Sequence, residues 1–175
     1  KSKKINILYI ASEAAPLIKV GGLGDVAGSL PKALKNLVAK QISGYELDIR
    51  LVIPFHSLIN QKLENIQLVS SFMVKHNQGN IPARVFQTSI EGVPIYLIEG
   101  SSILSDQNVY SSNPEYDAKK YIFFSLAALE MVKNINWQVD IVHANDWHTA
   151  IICYELKQRK LLDPFYRNTK SILSM

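Results

Sequence analysis

Cysteine is nearly missing from this sequence. Cys153 stands alone, which excludes an internal disulfide framework and fits a reducing compartment. Long apolar runs are missing too: no stretch approaches the roughly 18 residues of a membrane-spanning helix. The apolar segment after Lys1-Ser2-Lys3-Lys4 is too short for a signal peptide and leads straight into a glycine-rich segment. The chain begins without methionine, as a processed or trimmed form would. Charge of one sign is scarce once the N-terminus is set aside. The net charge is +4, of which Lys1, Lys3 and Lys4 supply three, leaving 4 − 3 = +1 for the remainder. No later basic run is interleaved with aromatics, which argues against nucleic acid as a partner. No G-x-S-x-G elbow marks a serine hydrolase, and no internal repeat or low-complexity linker divides the chain.

What is present is the material of one core. Hydrophobic residues make up 47% of 175 positions, enough for a single domain over residues 1–175. Ile5 to Ala11 (INILYIA) is an almost unbroken apolar run, the mark of a strand buried on both faces of a parallel sheet. Ala27, Leu30, Leu34 and Leu37 then form one helical stripe, with Pro31 inside it predicting a kink or a late start. Leu47 to Pro54 reads as a second strand. Gln67 to Lys75, Ala83 to Ile90 and Val93 to Glu99 read as further strands, split by Gly79, Pro82 and Gly92, with Glu91-Gly92 as a hairpin turn. Gly100 to Asp117 is polar and reads as a surface loop. Ala118 to Asn134 is a helix, Asp140 to Ala144 a short strand, Trp147 to Lys160 a helix and Ser171 to Met175 a final strand. Strands alternating with helices predict an α/β fold: a Rossmann-like parallel sheet flanked by helices, with the middle strands as an embedded β-hairpin or an edge extension.

In such a sheet, ligands bind at the carboxyl ends of the strands, and two segments there stand out. Ser12 to Asp25 (SEAAPLIKVGGLGD) follows the first strand. Gly21, Gly22 and Gly24 permit positive φ and close approach to a ligand. The helix behind them aims its amides at the loop, a cradle for phosphate, and Lys19 adds a mobile cation. The plain alternative is a turn with a solvated lysine. A dinucleotide fingerprint is a third reading, because Gly22, Gly24 and Gly28 are spaced as a loose glycine motif. Against it, Ser12 to Lys19 separate the strand from the glycines, and the second strand ends in Pro54-Phe55-His56 rather than an acidic residue.

The second segment is His143 to His148 (HANDWH). Asn145 or Asp146 suits a helix cap. His143, Asp146 and His148 resemble part of a metallohydrolase pattern, but Asn145 takes the place of its middle histidine and no further cluster completes a metal site. Asp146 also suits a carboxylate that orients a sugar hydroxyl or stabilises developing positive charge. Cys153 falls on an apolar helix face and reads as core. His56 and His76 read as surface or loop residues, Trp137 as a packing residue, Trp147 as a packing residue or, being close to the cleft, a sugar platform, and Tyr110, Tyr116 and Tyr121 as scattered aromatics rather than a sugar-binding row.

With these residues in view, the sequence resembles the glycogen and starch synthases that use ADP-glucose. Lys19 to Val26 (KVGGLGDV), preceded by Ser12-Glu13 and followed by Leu30-Pro31-Lys32-Ala33-Leu34, is similar to the family's N-terminal signature. Val142 to Ala150 (VHANDWHTA) looks like its H-x-x-D-W-x-x-A block, with Asn145 where a histidine is also common. Ile122-Phe123-Phe124-Ser125 and Ala127-Ala128-Leu129-Glu130 resemble the helix before that block. The resemblance implies the N-terminal half of a glycosyltransferase built from two Rossmann-like domains (GT-B). It implies a retaining, metal-free and cofactor-free transfer of glucose from ADP-glucose to the non-reducing end of an α-1,4-glucan. Asp25 and Asp146 would then be catalytic, lining the pocket near the transferred glucose. Lys19, Gly21 and Gly22 would bind the donor, with Glu13 just behind and Tyr116 as an active-site tyrosine. In the family the final strand leads into a T-[VI]-H-N turn bearing a principal histidine. A second domain supplies most nucleotide contacts there, so the chain alone is expected to be inactive. A related enzyme using UDP-glucose or another sugar nucleotide, and a non-catalytic carbohydrate-binding domain, are the alternatives. Bacterial cytoplasm, or plastid stroma in a plant, is the expected location.

Overall fold

The computed structural model describes residues 3–59, 63, 65–76, 79–100 and 108–175. Its strands are β1 (Lys3–Ile10), β2 (Tyr45–Pro54), β3 (Gln67–His76), β4 (Gly79–Ile90), β5 (Val93–Gly100), β6 (Ile141–Asn145) and β7 (Lys170–Ser174). The helices are α1 (Gly22–Lys35), α2 (Pro114–Asn134) and α3 (Trp147–Leu162). One sheet joins all the strands in the order β3-β4-β5-β2-β1-β6-β7. β5, β2, β1, β6 and β7 run parallel, and β3 and β4 extend one edge antiparallel. Of the three middle strands, β3 and β4 are therefore a hairpin that extends the edge, and β5 belongs to the parallel sheet.

The unbroken apolar runs are explained by coverage of both sheet faces. Along β1, Leu8 and Ile10 belong to one core with the faces of α2 and α3, while Ile7 and Tyr9 belong to the other, against α1. β2 splits the same way, Val52 to the first core and Leu51 and Ile53 to the second. Each buried Leu or Ile contributes about 1.5–3 kcal/mol relative to exposure, so the central strands anchor the domain from both sides.

Several expectations move. α1 begins within the glycine segment, at Gly22, and runs through the buried Pro31 to Lys35. α2 begins at Pro114, not Ala118, because the Asn113 side chain accepts the amides of Glu115 and Tyr116 and proline suits a first turn. β4 continues through Pro82, which stands opposite Met73 of β3, while the described pairing with β5 begins at Ala83 opposite Gly100. The Glu91-Gly92 turn is as expected, with φ of 50° and 79°, the left-handed pair that a tight hairpin requires. Between Gly100 and Asp117, residues 101–107 lie outside the described set. Residue 108 and residues 112–115 are exposed, as a surface loop would be, but Val109 is buried, and the Lys120 ammonium and the Tyr121 hydroxyl both donate to its carbonyl.

His56 is buried, with Nε2 3.1 Å from the Ser12 carbonyl, and is no surface residue. The His76 side chain lies outside the described set. Trp137 is buried beneath the Arg50 guanidinium, and Cys153 packs against the first core.

Candidate functional site

The chain leaves β1 for β2 on one side, and β6 pairs on the other. That makes the carboxyl end of β1, beside β6, the point where strand order reverses and a crevice opens. The glycine loop follows β1 and the HANDWH segment spans the end of β6, so both expected site segments meet there.

Glu13 organises the first segment. Its carboxylate is buried, with 1% exposure. It accepts the amide of Val20, the amide of Gly21 at 3.1 and 3.2 Å, and the Tyr110 hydroxyl at 3.0 Å. A buried carboxylate is tolerable only with such donors around it. None of Gly21, Gly22 or Gly24 uses the positive φ that glycine permits. Space is the reason instead: a Cβ on Gly24 would stand 2.9 Å from Lys19 Cγ and 3.0 Å from Glu13 Oε2. The Gly21 amide is committed to Glu13, whereas Gly22 faces open space, with nothing within 4 Å of an added Cβ. Lys19 Nζ lies 2.7 Å from Asp25 Oδ2, and both side chains are exposed. An exposed pair of this kind is worth about 0–1 kcal/mol and is easily exchanged for a ligand.

The second segment is fixed by Asn145 and strained at Asp146. Asn145 is buried and ties β6 to β1, accepting from the Tyr9 hydroxyl at 3.0 Å and donating to the Ile10 carbonyl at 3.0 Å. Burial pushes the Tyr9 hydroxyl up to about 12, so it remains a donor. Asp146 caps α3, its side chain accepting from the Trp147 amide at 2.6 Å. The cap reading and the functional reading thus fall on one residue. Asp146 has φ 64° and ψ 173°, a region largely reserved for glycine. Its own amide donates to the Ser174 carbonyl at 2.7 Å. His143 turns to the Ser174 hydroxyl at 2.8 Å and to the Tyr9 ring. His148 is buried among Tyr110, Tyr121 and Trp147, so the histidines do not converge on Asp146 as a ligand set.

Tyr110 joins the two segments. Its hydroxyl lies 2.8 Å from Ser12 Oγ and donates to Glu13, while its ring stacks on His148 at 4.5 Å. Burial, together with the charges of Glu13 and Asp146, pushes its hydroxyl above the usual tyrosine range, against a hydrogen bond from Ser12. Sequence reasoning missed this residue and chose Tyr116, which sits in the first turn of α2 with its ring 5.8 Å from Lys120 Nζ. The signal was Asn113-Pro114, a cap followed by a first-turn proline. It places Tyr116 on the helix and leaves Tyr110 as the aromatic of the preceding loop. Tyr110 and Tyr121 gather here, and Trp147 packs on His148 and Tyr121 while remaining 51% exposed.

The site therefore presents an exposed cation, an open glycine at a helix N-terminus, a strained carboxylate and an aromatic wall. Such a set can hold an anionic ligand at the loop and a polyhydroxylated ring beside Asp146 and Trp147. A separate surface hollow of about 450 Å³ is bounded by α3 and β7 residues including Cys153, Lys157, Lys160 and Lys170, and none of the site residues line it.

Comparison with known proteins accords with this geometry. Residues 6–175 match the family model described as the starch synthase catalytic domain. A glycogen synthase of Vibrio atlanticus (strain LGP32) is 36% identical over 177 residues, covering 99% of this chain and 34% of the relative. A glycogen synthase of Clostridium perfringens (strain 13 / Type A) is 36% identical over 174 residues, with 99% and 34% covered. The chain thus spans about a third of the length of the curated relatives it matches. Among solved structures, the catalytic domain of Starch Synthase IV from Arabidopsis thaliana, bound to ADP and acarbose, superposes with a TM-score of 0.80. That similarity is at 23% identity over 98% of this chain and 34% of the other, and it shows a shared fold. By the extent of the family match and the identity of its relatives, this chain belongs to the starch synthase catalytic domain family.

Proposed function

We propose that this chain is the glycine-loop domain, residues 1–175, of a retaining glucosyltransferase. The enzyme would move glucose from ADP-glucose to the non-reducing end of an α-1,4-glucan. The observation that carries this reading is the meeting of the Lys19 loop and the strained Asp146 at one crevice, bridged by Tyr110. Lys19 would leave Asp25 for the donor phosphates, and the Gly22 amide would face them at the start of α1. Gly21 would act only through its bond to Glu13. Asp146 would stand near the transferred glucose, where a carboxylate stabilises positive charge developing at the anomeric carbon. Asp25, released from Lys19, would line the same pocket. Trp147 would offer an apolar face to a sugar ring. Tyr116 enters this reading only as a resemblance to the family pattern.

The ADP in the Arabidopsis structure supports an adenine donor. The remaining two thirds of the relatives' length is where we place a second domain carrying the other nucleotide contacts. Bacterial cytoplasm is the compartment we propose, from the bacterial relatives and the single cysteine.

The test is glucose transfer to glycogen by the full-length gene product, comparing ADP-glucose with UDP-glucose. Asp146→Ala is expected to lower kcat/KM by roughly 100-fold or more, the scale for lost transition-state electrostatics, and Lys19→Ala by roughly 10- to 100-fold, mainly through KM, as a lost charge-assisted bond to the donor. Transfer from neither donor would overturn the reading. The exposed aromatics Trp147 and Tyr154, seven positions apart on α3, favour one alternative. Under it, glucan binding without transfer would identify a carbohydrate-binding domain.

A further inference from the structure

We propose that Glu13 is the positioning residue of the glycine loop, setting where Lys19 and Gly22 meet an anionic donor without touching that donor itself. The inference rests on the transferase reading only for the identity of the donor. Its carboxylate, 1% exposed, lies behind the loop and accepts from Val20, Gly21 and Tyr110. Successive amides turned onto one acceptor form the kind of nest that binds external anions. Here the chain's own carboxylate fills it. The amides of Val20 and Gly21 are thus occupied, and an incoming phosphate is left with Lys19 and the helix start at Gly22.

The loop is wrapped closely on this carboxylate. A Cβ at Gly24 would come within 3.0 Å of Glu13 Oε2, and one at Gly21 within 3.5 Å of Oε1. Glu13 and the glycines are therefore a matched set: the carboxylate draws the loop inward, and the missing side chains leave it room. Tyr110 extends the arrangement, since the same hydroxyl that donates to Glu13 belongs to the ring stacked on His148. Neutral glutamine keeps one carbonyl oxygen for Val20 and Gly21, but it loses the charge that strengthens those bonds and turns an N–H toward the Tyr110 hydroxyl.

Hydrogen–deuterium exchange on the full-length gene product reads the loop directly. Glu13→Gln is expected to speed exchange at Val20 and Gly21 by roughly tenfold, the value of a charge-assisted hydrogen bond, while β1 and β2 stay protected. In the same variant, KM for ADP-glucose is expected to rise by roughly tenfold with kcat changed less than about threefold, because ground-state placement of the donor is what is lost. Unchanged loop exchange overturns the proposal, and so does a loosened loop with unchanged KM. If Glu13→Gln unfolds the sheet, seen as lost protection in β1, Tyr110→Phe takes its place. It deletes one bond to the same carboxylate, and the loop must again exchange faster or the proposal falls. A wild-type protein that transfers no glucose, together with a loop loosened by Glu13→Gln, overturns the transferase reading and supports the positioning of the loop.

Discussion

Asp146 occupies φ 64°, ψ 173° while capping α3 and donating its amide to the Ser174 carbonyl. That conformation costs an aspartate about 1–3 kcal/mol and a glycine almost nothing. Asp146→Gly should therefore raise stability by about 1 kcal/mol, after the small loss of the cap and the added chain entropy are deducted. Asp146→Ala keeps the strain, loses the cap, and should lower stability by about 1 kcal/mol. Urea midpoints of the two variants check this, and equal shifts would show that the strain is not stored there. Both variants should lose glucose transfer in the full-length protein, so the glycine variant would be the more stable and the less active. At this scale the sequence was legible in part. The letters of Lys19 to Asp25 and His143 to His148 marked the candidate site, but neither the strain at Asp146 nor the burial of Glu13 is written in residue types. Both depend on where β7 and Tyr110 come to rest.

The elements depend on close approaches that one methyl group would break. Gly28 lies on α1 where a Cβ would stand 2.4 Å from the backbone oxygen of Ala15. Backbone cannot swing aside as a side chain can, so Gly28→Ala should cost about 2 kcal/mol by pushing α1 off the loop, measurable as a lower thermal midpoint. The start of α2 depends on a cap. Asn113→Ala removes the acceptor for Glu115 and Tyr116 and should cost about 1 kcal/mol, with faster amide exchange confined to the first turn. Periodicity made the strands and helices readable, and both-face burial explains why the apolar runs of β1 and β2 were so plain. The misplaced start of the second helix, at Pro114, fell where a breaker residue is harmless, because proline at a first turn removes no bond that the helix uses.

At the scale of the molecule, one sheet separates two cores, and the crevice opens where the strand order turns. That convergence follows from topology and was readable as a rule about α/β sheets. The role of Tyr110, brought in from a loop far along the chain, was not. Two histidines near the crevice give the whole domain a pH dependence. Burial holds His148 below the usual 6.5, with Asp146, Asp117 and Glu13 opposing and Lys120 adding to the effect, and burial lowers His143 likewise. The folded state then binds fewer protons than the unfolded one, so this stability is fully present above 6.5 and is lost as pH falls through the depressed values. Urea midpoints should decline as pH falls below 6.5. His148→Phe, which keeps the stack on Tyr110, should flatten part of that decline, and an unchanged slope would count against a titrating His148.

The bond from Asp146 to the Ser174 carbonyl bears on how the protein is made. Ser174 lies 31 residues beyond His143, so a ribosome delivers β6 a few seconds before β7 at ordinary rates of synthesis. During that interval the motif residues are all present, yet Asp146 lacks the partner that holds its backbone in place. Maturation of the crevice is thus timed by the arrival of β7, and a nascent chain passes through a stage that carries the full signature but not the finished site.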